Sequence, residues 1–189
     1  MYEVELKVRA AHDPLRERLA SLDADRLGTV EQVDTYYDAP DRDFAATDEA
    51  LRLRRETPVG EDPRTILTYK GPLVDDESKT REEAETRVAD VSATRSILAG
   101  LGYEPAATVR KERERYAISG CTVTLDRVEG LGEFVEVERD SEAGIDSEGG
   151  VARAREQVRA VMADLALNPA EQIRTSYLGL LLDAGEPGE

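Results

Sequence analysis

The segment YEVELKVR (2–9) alternates without a break, with Glu3, Glu5, Lys7 and Arg9 on one side of an extended chain and Val4, Leu6 and Val8 on the other. A helix would scatter these charges around its circumference, so the segment reads as a strand with one apolar and one charged face. The same pattern returns along the chain. ALRLRRE (50–56) sets Leu51 and Leu53 against Arg52 and Arg54, and TREEAETRV (80–88) aligns Arg81, Glu83, Glu85 and Arg87. Residues 106–117 align Lys111, Arg113 and Arg115, and EFVEVER (133–139) aligns Phe134, Glu136 and Glu138. Further strands are expected at 30–37, at 64–71 in hairpin with 50–56, and at 121–128, with a short one over 42–46. Helices are expected from an Asp13 cap with Pro14 in the first turn, from an Asp90 cap with Val91, Leu98 and Leu101 as its apolar stripe, over 151–167, and briefly through Leu182. Loops are expected over 71–78 and 140–150. About eight strands and three to four helices in one chain give an antiparallel α+β domain spanning residues 1–183, with 184–189 as a flexible tail.

Charge of one sign recurs at i, i+2 on these strands: Arg52/Arg54 and Lys111/Arg113/Arg115 on two, Glu3/Glu5 and Glu136/Glu138 on two others. Like charges aligned on one face repel unless opposite charge lies between them. Two architectures answer this. An open sheet would leave the charged face in water. A closed barrel would turn it inward, its carboxylates holding divalent cations, its Lys and Arg holding an anion, and its apolar outside covered by helices. A polyphosphate with bound metal satisfies both charge sets.

Composition narrows the function classes. There are 41 Asp and Glu against 25 Lys and Arg, a net charge of −16 and a pI near 4.6, which argues against a nucleic-acid partner. No apolar run approaches the ~20 residues of a membrane span. The opening Met-Tyr-Glu-Val-Glu lacks the basic start and apolar stretch of a signal peptide, so a cytoplasmic protein is expected. The single Cys121 excludes an internal disulfide and a Cys-based zinc site, and the single His12 excludes a His-rich metal site. The basic residues comprise four Lys and 21 Arg. Scarce lysine with abundant acid suggests a protein kept hydrated in a salty, halophilic cytoplasm. Three of those lysines, Lys7, Lys70 and Lys111, nonetheless stand in strands beside other charges, while Lys79 falls in an expected loop.

Glu3-x-Glu5-x-Lys7 at the N-terminus resembles the ExExK signature of the CYTH superfamily, the triphosphate tunnel enzymes. It is followed in order by LRLR (51–54), TYKGP (68–72), REEAE (81–85), VRKERERY (109–116), LDRVEGLGEFVEVE (125–138) and RTSYLGLL (174–181). YEVELK, LGYEPAATVRKER, GLGEFVE and RTSYLGLL look most like the class IV adenylate cyclase branch. The resemblance implies a closed eight-stranded antiparallel barrel whose lumen binds a triphosphate with Mg²⁺ or Mn²⁺, and allows a homodimer. It implies Glu3, Glu5, Asp126, Glu136 and Glu138 as metal ligands. Lys7, Arg52, Arg54, Lys70, Lys111, Arg113 and Arg174 are implied as substrate contacts, with Glu5, Lys7 and Lys111 nearest the chemistry. Glu83 and Glu85 would orient those cations or contact a nucleoside, and Arg115 would continue the face beyond the ligand. The implied activity is conversion of ATP to 3′,5′-cyclic AMP and pyrophosphate. The alternatives are hydrolysis of inorganic, thiamine or nucleoside triphosphates, and a non-catalytic polyphosphate- or nucleotide-binding module. Tyr36, Tyr37 and Tyr177 are expected as packing residues, Cys121 as a small packing residue, and His12 as solvated.

Overall fold

The computed structural model describes residues 2–73, 79–141 and 148–185. Eight strands, β1 (Tyr2–Arg9), β2 (Asp25–Asp38), β3 (Ala50–Pro58), β4 (Arg64–Leu73), β5 (Lys79–Val88), β6 (Glu104–Ile118), β7 (Cys121–Val128) and β8 (Gly132–Ser141), close in the order β1-β5-β4-β3-β2-β6-β7-β8. Every pairing is antiparallel, including the closing pair of β1 with β8. Among the described residues, five α-helices surround them: α1 (His12–Ser21), α2 (Phe44–Thr47), α3 (Val91–Gly100), α4 (Glu148–Asp164) and α5 (Tyr177–Asp183). The closed barrel, rather than the open sheet, is the solution this sequence adopts.

The apolar core lies outside the barrel wall. Val4, Leu6 and Val8 of β1, Val123 and Leu125 of β7, and Val135 and Val137 of β8 pack beneath α1 and beneath Val158, Val161 and Met162 of α4. Each such side chain, fully buried, contributes about 1.5–3 kcal/mol. Leu98 of α3 covers Leu53 and Tyr37 on another part of the wall. With the apolar faces committed outward, the strict two-residue period forces the charged faces into the lumen. Helix α5 flanks one end, its Tyr177 and Leu181 packing against Phe134, Val109 and Val128. The Ser176 hydroxyl caps that helix by accepting from Gly179 N–H at 3.0 Å.

Several elements differ from their sequence expectation. Helix α1 starts at His12, and its cap residue Ala11 offers no side-chain acceptor. Glu133 of β8 serves instead, accepting the His12 backbone N–H at 3.0 Å. His12 is consequently buried rather than solvated, with its Nε2 3.0 Å from the Phe134 carbonyl oxygen. The segment expected as a strand over 42–46 instead forms α2, because the Asp43 carboxylate accepts from Ala45 and Ala46 N–H at 2.9 and 3.2 Å and nucleates a turn. Strand β2 begins five residues earlier than expected and carries an irregularity between Arg26 and Gly28, where Gly28 takes a φ of +120° that a side chain would resist. Of the expected loops, residues 71–73 and 140–141 lie in strands and 148–150 in α4, while 74–78 and 142–147 lie outside the described residues, as do 186–189 of the expected tail; Lys79 is the first residue of β5.

Candidate active site

The lumen opens into a cavity of about 1090 Å³. Its walls carry unequal charge, although Lys7 stands among the acids of β1, Glu56 ends the arginine series of β3, and β4 and β5 mix Lys70 and Arg81 with Glu83 and Glu85. Neighbouring β1 and β8 contribute Glu3, Glu5, Glu136 and Glu138; β3 and β6 contribute Arg52, Arg54, Lys111, Arg113 and Arg115. Between β3 and β6 runs β2, whose Asp34 is fully buried. Asp34 Oδ1 and Oδ2 accept from Arg54 Nε and NH2 at 2.7 and 2.8 Å, and Oδ2 also stands 3.7 Å from Arg52 NH1 and 3.8 Å from Lys111 Nζ. Burial alone would raise the Asp34 pKa, but Arg54, Arg52 and Lys111 outweigh it and hold the carboxyl far below its ordinary range.

A second anchor repeats the arrangement. Arg113 Nε and NH2 donate to Asp126, and NH2 also reaches Glu136. The Tyr177 hydroxyl donates to Asp126 Oδ2 at 2.8 Å. The Tyr177 ring carries two lysines, Lys7 Nζ at 4.4 Å and Lys111 Nζ at 5.0 Å from its centroid. Lys111 is shifted down to about 7, first by burial and then by Arg113 and Arg54. Lys70 behaves oppositely. Burial would lower it, but Glu3 at 2.8 Å and Glu83 at 2.7 Å overcome this and hold it above the ordinary lysine range.

On the acidic wall the register sets Glu5 directly opposite Glu138 and Lys7 opposite Glu136. Lys7 Nζ lies 3.9 Å from both Glu5 and Glu136, a loose contact at each. Glu138 is pushed up to about 8, first by burial and then by Glu3, Glu136 and Glu5 around it. An excess of carboxylate charge of this kind, built from hard oxygen donors, fits a divalent cation such as Mg²⁺ or Mn²⁺. The acids are grouped rather than converged: Lys70 engages Glu3, and among the described residues no three metal-binding side chains meet at one point. Asp126 does not belong to the group, since Arg113 and Tyr177 occupy its oxygens. Arg174 lines the cavity beside α5, as do Thr175 and Ser176.

The CYTH domain family matches residues 1–177. The chain belongs to the CYTH family. Over 181 residues it is 38% identical to a Methanocaldococcus jannaschii protein named a putative adenylate cyclase, covering 95% of this chain and 98% of that one. Adenylate cyclase CyaB of Aeromonas hydrophila is 30% identical over 178 residues, covering 93% and 86% respectively. A Pyrococcus horikoshii protein of known structure superposes with a TM-score of 0.85 at 38% identity, covering 96% of this chain and 99% of that one. Both curated relatives carry the name of an adenylate cyclase. Among the described residues of this CYTH barrel, no helix is long and apolar enough to cross a membrane.

Three lumen residues were not among the candidates drawn from the CYTH motifs. Asp34 ties Arg52, Arg54 and Lys111 together, yet its segment VDTYY (33–37) carries one acid among apolar and hydroxyl residues and lacks an i, i+2 partner of like sign. Tyr177 is packed as expected, but its hydroxyl also fixes Asp126. Glu56 follows Arg52 and Arg54 on the same face of β3 and is 2% exposed. The two-residue period alone would have placed both Asp34 and Glu56 in the lumen once β2 and β3 were oriented.

Proposed function

We infer that this chain is a divalent-metal-dependent enzyme that converts ATP to 3′,5′-cyclic AMP and pyrophosphate within the barrel. The reading is carried by the charge of the lumen, which gathers four carboxylates on β1 and β8 and most of its Arg and Lys on β3 and β6. It is supported by the relatives named as adenylate cyclases. The triphosphate lies against Arg52, Arg54, Lys111 and Arg113, whose guanidinium forks suit phosphate oxygens. Lys7, Lys70 and Arg174 complete the cationic surround. Asp34 and Asp126 do not touch substrate; each grips a guanidinium on two sides and fixes its direction. The cavity mouth offers Phe44, Ala107 and Leu178 to the nucleoside.

Glu3, Glu5, Glu136 and Glu138 would hold the metal. When bound, it would lower the pKa of the ribose 3′-hydroxyl and offset phosphate charge. In the reaction the 3′-oxygen bonds to the α-phosphorus in line while the bond from that phosphorus to the bridging oxygen breaks. The hydroxyl proton passes to the acidic wall, where Glu5 is the candidate acceptor. Negative charge moves onto pyrophosphate, and Lys111, Arg54 and Arg113 stand fixed to receive it.

The test is to incubate the purified protein, in high KCl, with Mn²⁺ or Mg²⁺ and either ATP or tripolyphosphate, and to resolve the products. Cyclic AMP with pyrophosphate is expected from ATP. Orthophosphate alone would make the protein a phosphohydrolase using the same tunnel, and binding without turnover would make it a binding module.

A further inference from the structure

Two cation-bearing strands run toward one end of the barrel and meet there at an acid. The inward series on β3 is Arg52, Arg54, Glu56, and on β6 it is Lys111, Arg113, Arg115. Glu56 accepts from Arg115 NH2, from Arg64 Nε at 2.9 Å and from Gln32 Nε2 at 3.3 Å. Beyond it lies a second cavity of about 500 Å³ lined by Arg26, Arg64 and Arg115 among others. Glu56 lines the main cavity, Arg64 lines the second, and Arg115 lines both. The Glu56 cluster therefore stands between the two. Buried beside it, the Gln32 side-chain oxygen has no hydrogen-bond partner among the described residues, so this end of the lumen presents two acceptors beside the cations.

We propose that Glu56 is a specificity-determining residue that ends the phosphate tunnel and limits the number of phosphates a nucleotide can insert. The inference rests on the lumen being a nucleoside triphosphate site. With the nucleoside held at the mouth, three phosphates fill the cationic stretch. A fourth would be driven toward the Glu56 carboxylate, an acceptor with nothing to donate. The same carboxylate occupies Arg64 and Arg115, which would otherwise welcome further phosphate. Removing its charge acts twice, deleting a repulsion and releasing two guanidiniums toward the chain.

The test is calorimetric titration of the wild type and of Glu56→Gln with ATP, adenosine 5′-tetraphosphate and inorganic tripolyphosphate, in matched salt. Wild type should favour ATP over the tetraphosphate. In Glu56→Gln the ratio of the two affinities should move toward the tetraphosphate by on the order of tenfold, the scale of one charged hydrogen bond. Arg64→Ala, at a partly exposed position where folding is not in question, should move it the opposite way, because Glu56 is then less neutralised and one cation is lost. Circular dichroism checks that Glu56→Gln is folded; if it is not, the Arg64→Ala ratio decides. Ligand binding with an unchanged ratio in the folded variants overturns the limit while leaving the triphosphate site intact. Failure of wild type to bind ATP and tripolyphosphate at all overturns both.

Discussion

Arg54 lays its guanidinium edge flat against Asp34, with Nε and NH2 donating to the two carboxylate oxygens at 2.7 and 2.8 Å. Asp34 has no exposed surface, and Arg52 and Lys111 close in on it from either side. It is the fixed counter-charge for three of the cations proposed to bind phosphate. Asp34→Asn keeps the volume and deletes the charge, leaving those cations buried and short of an anion. Breaking a buried pair from one side costs about 3–5 kcal/mol, so urea unfolding should show a loss of that order. Tripolyphosphate should recover part of it by supplying the missing charge to the folded state alone. A variant as stable as wild type would remove Asp34 from this role.

The depressed pKa of Lys111 gives a pH prediction with a definite sign. Its folded value is about 7, against an ordinary value of 10.5. Between the two, the unfolded chain binds more protons than the folded one. Stability through this group is therefore fully present above the unfolded value and is lost as pH falls through about 7. An anion in the lumen reverses the preference by favouring the charged amine. At about pH 8 tripolyphosphate binding should take up a proton, read as a buffer-dependent heat in calorimetry. Lys111→Met should abolish most of that uptake, and the residual should belong to the phosphate itself. Equal uptake in both proteins would place the titrating group elsewhere.

The individual phosphate contacts should be unequal to surface charges. An exposed ion pair contributes only ~0–1 kcal/mol. Arg54→Ala should weaken tripolyphosphate binding by about 2–3 kcal/mol, the scale of a desolvated charged hydrogen bond, as measured by titration in fixed salt. Unchanged affinity would mean that Arg54 serves only to neutralise Asp34.

The alternating charged faces were legible in the sequence because two signals agreed, whereas closure into a barrel was implied only by the ordered motifs that resemble the CYTH family. The two-residue period separated faces, and the sign of each face repeated by strand, so β1, β3, β6 and β8 could be oriented before their neighbours were known. What the sequence hid depends on contacts between distant segments. No local rule joins Glu133 to the start of α1, yet that contact caps the helix and buries His12. Asp43 carried a cap signal, but the short stretch behind it also fitted a strand, and only the docking of Phe44 separates the two. Asp126 resembled a metal ligand by its place in the motif. Its oxygens are instead taken by Arg113, its direct partner across the β6–β7 hairpin, and by Tyr177 of α5. Asp34 lay in a segment without repeated charge and Glu56 broke the sign of the Arg52/Arg54 series, so their importance emerges only where β2 is inserted between β3 and β6.

The acidic wall predicts a response to cations that depends on pH. Glu138 is raised to about 8 by burial and by Glu3, Glu136 and Glu5, against an ordinary value of 4.5. Its stabilising contribution is thus present in full below about 4.5 and is lost as pH rises through about 8. Mn²⁺ relieves the same repulsion, so the rise in melting temperature on adding it should be larger near pH 8 than near pH 5.5. Glu5→Gln removes the charge directly opposite Glu138. It should shrink the Mn²⁺ shift and abolish turnover while leaving the far-ultraviolet dichroism unchanged. A folded Glu5→Gln protein with wild-type activity at saturating Mn²⁺ would argue against a ligand role.

Tyr177 couples the C-terminal helix to the lumen, and its hydroxyl can be removed without disturbing the ring. Tyr177→Phe keeps the edge contact with Phe134, whose centroid is 5.0 Å away, and keeps both lysines over the ring face. It deletes only the donor to Asp126 Oδ2. A hydrogen bond to a charged group contributes about 1.5–3 kcal/mol, so global stability should fall within that range. Asp126 retains its two contacts with Arg113, which predicts that the guanidinium stays in place and tripolyphosphate affinity changes little. Tyr177→Ala goes further, removing the ring on which Lys7 and Lys111 rest and unseating α5 from the barrel end. Affinity should then fall along with stability. Comparing unfolding and titration data for the two variants separates the hydroxyl from the ring. A large affinity loss in Tyr177→Phe alone would mean that the Asp126 to Arg113 geometry depends on this one proton donor.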